Sequence, residues 1–230
     1  MMRRLLDITL LALLVLAGFS CRKAPAPPVV DNVIETGDLL FVGIPMDYMD
    51  NSMSQAIADA TSSGDSINFI HTAILEVDKE GEIWVIDATM AYGVDRHPLD
   101  TLLKQFTLHR DDAKATFEVM RLTDDQNVKH YVEQAKTWLG EPYDQSFLPE
   151  NGKHYCTELV YDAYFDADGS HRFQEVPMNF KNAEGEMPAY WTWLFGELGE
   201  PIPQGVLGTN PQQLHASPAL VHVMFLQGAE

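Results

Sequence analysis

The chain has 230 residues, 46% of them hydrophobic and 21% charged, a globular composition with length enough for a large core. Fifteen Lys and Arg against 34 Asp and Glu leave a net charge of −19, which argues against a nucleic-acid partner and reads as an acidic solvated surface. Two cysteines, Cys21 and Cys156, are too few for a disulfide scaffold in a domain of this size.

The first segment reads as an address. Residues 1–4 (MMRR) are basic and residues 5–19 almost wholly apolar, a run that is short for a bilayer span but fits a secretory signal. Cys21 follows this run directly after Gly18-Phe19-Ser20, and the arrangement resembles a bacterial lipoprotein signal. In that class the cysteine becomes the lipid-modified first residue. The expectation is therefore a signal peptide over 1–20, lipidation at Cys21, and an exported chain anchored in the bacterial cell envelope. Residues 21–35 contain a Pro/Ala stretch (RKAPAPPVVD) and read as a semi-rigid spacer before a single domain over 36–230.

Within that domain, residues 37–43 (GDLLFVG) form a β-type run opened by a turn, 53–60 a short helix and 61–65 a loop. Residues 69–77 (FIHTAILEV) and 82–89 (EIWVIDAT) are β-rich and joined at Glu80-Gly81, the pattern of an antiparallel hairpin. Residues 117–122 are a further strand. Residues 124–139 carry helical spacing, with Val128, Tyr131, Val132, Ala135 and Trp138 as the apolar stripe and Gly140 as the stop. Residues 156–165 (CTELVYDAYF) read as a buried helix, 174–203 as irregular, and 219–226 as a closing strand. This is an α+β fold.

Cys156 falls in the first turn of its helix, where unpaired N–H groups and the positive dipole end stabilise a thiolate and can donate to an oxyanion. A cysteine nucleophile also needs a base. Of eight histidines, His71 stands inside an apolar strand run, where a polar ring needs a reason. A hairpin about Glu80-Gly81 pairs residues whose numbers sum to about 160. His71 and Asp87 fall close to that sum, so the carboxylate is placed to orient the imidazole in a Cys–His–Asp set.

The motifs Gly37-Asp38-Leu39-Leu40-Phe41, Ser54-Gln55-Ala56-Ile57, Ile70-His71-Thr72-Ala73-Ile74, Val85-Ile86-Asp87-Ala88, Tyr143-Asp144 and Tyr155-Cys156-Thr157-Glu158-Leu159-Val160 occur in this order. Together they resemble the YiiX/YaeF-like permuted papain-fold amidases of the NlpC-like cysteine hydrolase superfamily, over roughly residues 36–223. Histidine before cysteine marks the permuted branch. The resemblance implies an antiparallel sheet packed against helices, with Cys156 as nucleophile at a helix N-terminus and His71 as general base and later acid. It implies Asp87 as the orienting residue, where the family commonly has the longer Glu. Tyr143 corresponds to an aromatic residue lining the cleft, and Glu158 to a support on the far side of the helix from His71.

The implied activity is hydrolysis of an amide through a thioester, with peptides or cell-wall stem peptides as the substrate class and no cofactor or metal. Two other readings stand beside it. One is an acyltransferase or thioesterase acting on lipids, with residues 187–195 (MPAYWTWLF) lining a groove. The other is a non-catalytic ligand-binding surface lipoprotein. No His-Glu-x-x-His and no cysteine pair at zinc spacing supports a metallohydrolase.

Overall fold

The computed structural model describes residues 33–48, 52–62, 64, 66–108 and 113–228. The expected signal peptide, Cys21 and the spacer up to residue 32 lie outside the described residues. Residues 33–35 lie against the folded body, where Arg121 donates to Glu35 Oε1 at 2.8 Å and to the Val33 carbonyl at 2.6 Å.

The strands are β1 (Leu39–Pro45), β2 (Ile67–Val77), β3 (Ile83–Thr89), β4 (Gly93–Pro98), β5 (Thr116–Leu122), β6 (Val176–Pro177), β7 (Leu207–Gly208) and β8 (Leu220–Leu226). The helices are α1 (Met53–Thr61), α2 (Leu99–Gln105), α3 (Val128–Lys136), α4 (Cys156–Ala163), α5 (Ala189–Leu198) and α6 (Pro211–His215). Six strands form one antiparallel sheet in the order β4-β3-β2-β1-β5-β8, and β6 and β7 form a separate pair. This is the expected α+β arrangement.

The apolar run of β1 is explained by burial on both faces. Leu39 and Phe41 join Ile74, Ile86 and the helix residues Leu159, Val160, Trp191 and Leu194 in the larger core. Leu40 and Val42 turn to the opposite face, with Ala73, Leu75, Val85 and Leu102 of α2. Each such side chain, fully buried, contributes about 1.5–3 kcal/mol. The Gly37-Asp38 motif fastens the start of β1. The buried Asp38 carboxylate accepts from Arg121 Nε at 2.7 Å and from the Glu35 N–H at 2.8 Å, while the Tyr164 hydroxyl donates to the Gly37 carbonyl at 2.9 Å.

The β2–β3 hairpin has the anticipated register, Ile74 opposite Ile86 and Val77 opposite Ile83. Pairing stops at Ile74–Ile86; β3 then pairs only with β4, and β2 only with β1. The sheet thus opens between β2 and β3 where His71 and Asp87 stand. On the other side of β2, Val42 lies opposite His71 but Gly43 opposite Phe69, so Ile70 is an extra residue and the strand bulges beside the histidine. Bulges re-aim neighbouring side chains.

The expectation that 174–203 is irregular is corrected by α5. Trp191, Leu194 and Phe195 are its buried stripe, Pro188 precedes its first turn, and Gly199 ends it at φ +68°. The dense Trp, Met, Gly and Pro content masked that spacing. The helix expected over 124–139 is regular only from Val128 to Lys136 and leaves by tight turns to Gly140, at φ +92°.

Candidate active site

The loop before α4 is held by Asp144, which is wholly buried. Its Oδ1 accepts from the Ser146 N–H at 2.9 Å and from the Ser146 hydroxyl at 2.6 Å, and its Oδ2 accepts from the Leu148 N–H at 2.9 Å. The Asp144 N–H donates to the His154 carbonyl at 3.0 Å, so the loop closes on the residues that enter the helix. Tyr155 is the extended N-cap and Cys156 the first helical residue, buried. The sulfur therefore sits at the end of the helix where N–H groups lack intrahelical acceptors.

His71 reaches this sulfur from β2. Its Nε2 bonds Asp87 Oδ2 at 2.7 Å, and Cys156 lies near enough to the same ring to act on its protonation. The Phe106 ring, just past α2, covers the imidazole at 4.9 Å between centroids. Burial by itself pulls the His71 pKa down. Hydrogen bonds to Asp87 and Cys156, and the negative charges of both, outweigh it and raise the value to about 10. His71 is therefore an imidazolium at neutral pH, beside the Cys156 sulfur.

Asp87 is 1% exposed, and burial alone would hold its proton on. Two imidazoles oppose this and keep it below the usual carboxylate range: His71 on Oδ2, and His97 Nε2 on Oδ1 at 3.1 Å. The shorter Asp thus makes the contact expected of a Glu. His97 is the site residue that sequence reasoning missed. It lies on β4, diagonal to Asp87 across the β3–β4 ladder. The strand GVDRHP is an alternating edge with few apolar residues, so its histidine did not announce itself.

Tyr143 and Glu158 both lie near Cys156. Tyr143 lines the cleft with Cys156; burial and then the charge on Cys156 raise its pKa well above the ordinary value, so it stays a neutral phenol. Glu158 Oε2 accepts from the Tyr155 N–H at 3.3 Å and so caps the helix that carries the sulfur. Burial, then nearby Asp144 and Asp162, push Glu158 up to about 9. It is neutral at pH 7 and adds no negative charge beside Cys156.

Cys156 opens on a narrow, solvent-connected cleft walled chiefly by Ile57, Tyr143, Phe147, Met178, Phe180 and Trp191. Phe147 holds φ +52° there, a conformation rare for a bulky side chain, with its ring edge-on to those of Phe180 and Trp191. Thr157 Oγ1 and Trp191 Nε1, on two cavity residues, are buried without a hydrogen-bond partner among the described residues. Beyond Tyr143 a second groove passes His71, Met53, Met90, Tyr92 and Phe106.

Residues 33–224 match the model of the family described as permuted papain-like amidase enzyme, YaeF/YiiX, C92 family. The chain belongs to this family. Among its relatives is the uncharacterized protein YiiX of Escherichia coli (strain K12), 26% identical over 193 residues, covering 82% of this chain and 85% of the relative. The crystal structure of metalloprotein yiiX from Escherichia coli O157:H7 shares the fold, with a TM-score of 0.60 and 24% identity over 85% of this chain and 97% of that one. The permuted papain-like fold accounts for the histidine strand preceding the cysteine helix in the chain. Among the described residues, no three His, Cys, Asp or Glu side chains converge as metal ligands would.

Proposed function

We propose that the protein is a cysteine amidase in which Cys156, His71 and Asp87 do the chemistry. The observation that carries this reading is the buried arrangement itself: sulfur at a helix start, an imidazole beside it whose protonation it influences, and a carboxylate on Nε2 of that imidazole at 2.7 Å. The Cys156 thiolate attacks the amide carbonyl carbon, a C–S bond forms, and the π pair moves to oxygen. The Cys156 backbone N–H at the start of α4 stabilises that oxyanion. As the intermediate collapses, the C–N bond breaks and the His71 imidazolium gives its proton to the departing amine. Water then loses a proton to His71 and attacks the thioester; the new C–O bond replaces C–S and the thiolate returns.

Family membership supports an amide as the bond cleaved. The two grooves meeting at Tyr143 suit an extended chain crossing the sulfur, with an apolar group in the aromatic cavity. The export signal expected at residues 1–20 and lipidation at Cys21 put the enzyme in the cell envelope, where cell-wall peptides are the abundant amides. Incubating the full chain with peptidoglycan fragments and with phospholipids, and weighing the products, tests this. Cleaved stem peptides from the parent and none from Cys156→Ala are expected. Hydrolysed lipid with intact peptides would replace the reading by the lipid-acting one, and no product from either would return the protein to the ligand-binding class. Cys21→Ser should release the protein from the membrane fraction.

A further inference from the structure

We propose that His97 is a positioning residue of this site, a second imidazolium that holds Asp87 ionised and aimed at His71. The inference rests on the reading of Cys156, His71 and Asp87 as the reacting set.

The geometry of His97 decides its protonation. Its Nε2 faces Asp87 Oδ1 at 3.1 Å and its Nδ1 faces the Pro98 carbonyl at 3.2 Å. An ionised carboxylate and a carbonyl only accept, so both ring nitrogens are satisfied only when both carry protons. The neutral tautomer that keeps Nε2–H on Asp87 would point a lone pair at the Pro98 oxygen. The charges around the ring agree. Asp87 faces it from β3 and Asp95 from its own strand, and they outweigh burial in raising its pKa. Arg96 is engaged elsewhere, lying over the Trp84 ring at 3.9 Å and donating to Glu76 at 2.7 Å. On α2, Asp100 and Lys104 pair with each other.

The result is a row of alternating charge behind the Cys156 sulfur: imidazolium, carboxylate, imidazolium. Asp87 is almost completely enclosed, and a lone buried carboxylate opposite a single imidazole has a strong tendency to take up a proton. A second donor on its other oxygen opposes that protonation and fixes the carboxylate plane, hence the rotation of the His71 ring. The effect belongs to the acid side of the pH profile. As pH falls through the Asp87 pKa, the carboxylate neutralises and the His71 imidazolium loses its partner. Removing His97 raises that pKa and moves the loss to higher pH.

The test is the rate of Cys156 alkylation by iodoacetamide against pH in the full chain, for the parent, His97→Phe, His97→Gln and His71→Ala. In His97→Phe the acid limb should move to higher pH, with the rate at about pH 5 down about ten-fold and the rate at about pH 8 within about two-fold of the parent. His97→Gln keeps an uncharged donor within reach of Asp87 and should recover part of the shift. If His97→Phe does not fold, His97→Gln alone carries the test through its smaller displacement of the same limb. An acid limb unmoved in whichever variants fold, while His71→Ala suppresses alkylation, overturns the role of His97 and leaves the reacting set standing. Alkylation unaffected by His71→Ala overturns the reacting set itself.

Discussion

At the scale of single residues, the site is a problem in burying charge. Enclosing His71 and Asp87 is costly, and a buried ion pair is weak support for stability. In the proposed mechanism it serves reactivity, because the pair keeps a proton on the imidazole for the leaving amine. Removing one partner strands the other. We expect Asp87→Asn to bring the alkaline limb of kcat/KM down from near 10, since the hydrogen bond and charge that raise His71 are weakened together. The same variant should lose about 10²–10⁴ in kcat, the usual worth of a positioned acid–base group. An alkaline limb left in place would show that Asp87 does not set the basicity of His71. Sequence reading reached these residues because each broke a local pattern: His71 in an apolar strand, Asp87 in another, Cys156 at a helix start. His97 broke none, standing among Asp95, Arg96 and Pro98 where a polar ring is ordinary.

At the scale of elements, the opening between β2 and β3 and the bulge at Ile70 let a strand histidine meet a helix cysteine. The hairpin register was readable because β-pairing is arithmetic once the turn is located. The bulge was not, since it depends on what β1 presents opposite. Gly93 shows the same limit. Its φ is +69°, and a Cβ there would lie 2.1 Å from the Glu141 carbonyl oxygen, which accepts from the Val94 N–H at 2.8 Å. This contact joins β4 to the segment leading into Tyr143. Gly93→Ala should cost about 1–3 kcal/mol in denaturant unfolding from backbone strain alone. Helix α5 supplies a paired contrast. Trp191 is 2% exposed in the cavity wall, and Trp193, two residues on and so on the opposite face of the helix, is 57% exposed. Trp191→Ala should cost about 3–5 kcal/mol and Trp193→Ala within about 0.5 kcal/mol. Equal losses would mean that α5 does not present the face described.

At the scale of the whole molecule, the titrating groups set a pH optimum of stability. His71, raised from 6.5 to about 10, gives stability that is complete below 6.5 and lost as pH rises through about 10. Glu158, raised from 4.5 to about 9, gives stability that declines from 4.5 and is gone above about 9. Asp87, held below 3.8, gives stability present above 3.8 and lost as pH falls through its lowered value. The thermal midpoint should therefore peak in acidic solution, between about 3.8 and about 4.5, and fall on both sides. Glu158→Gln should flatten the alkaline decline. A midpoint that climbs steadily to alkaline pH would contradict the charge states assigned to both groups.

The central claim is that His71 is a cation held on Asp87 beside the Cys156 sulfur, and ring-nitrogen NMR of the full chain reads this directly. The account predicts protons on both His71 nitrogens throughout the neutral range, with the Nδ1 proton lost only near pH 10 and far earlier in Cys156→Ala. A neutral His71 ring at pH 7, carrying one proton and indifferent to the loss of the sulfur, would contradict it.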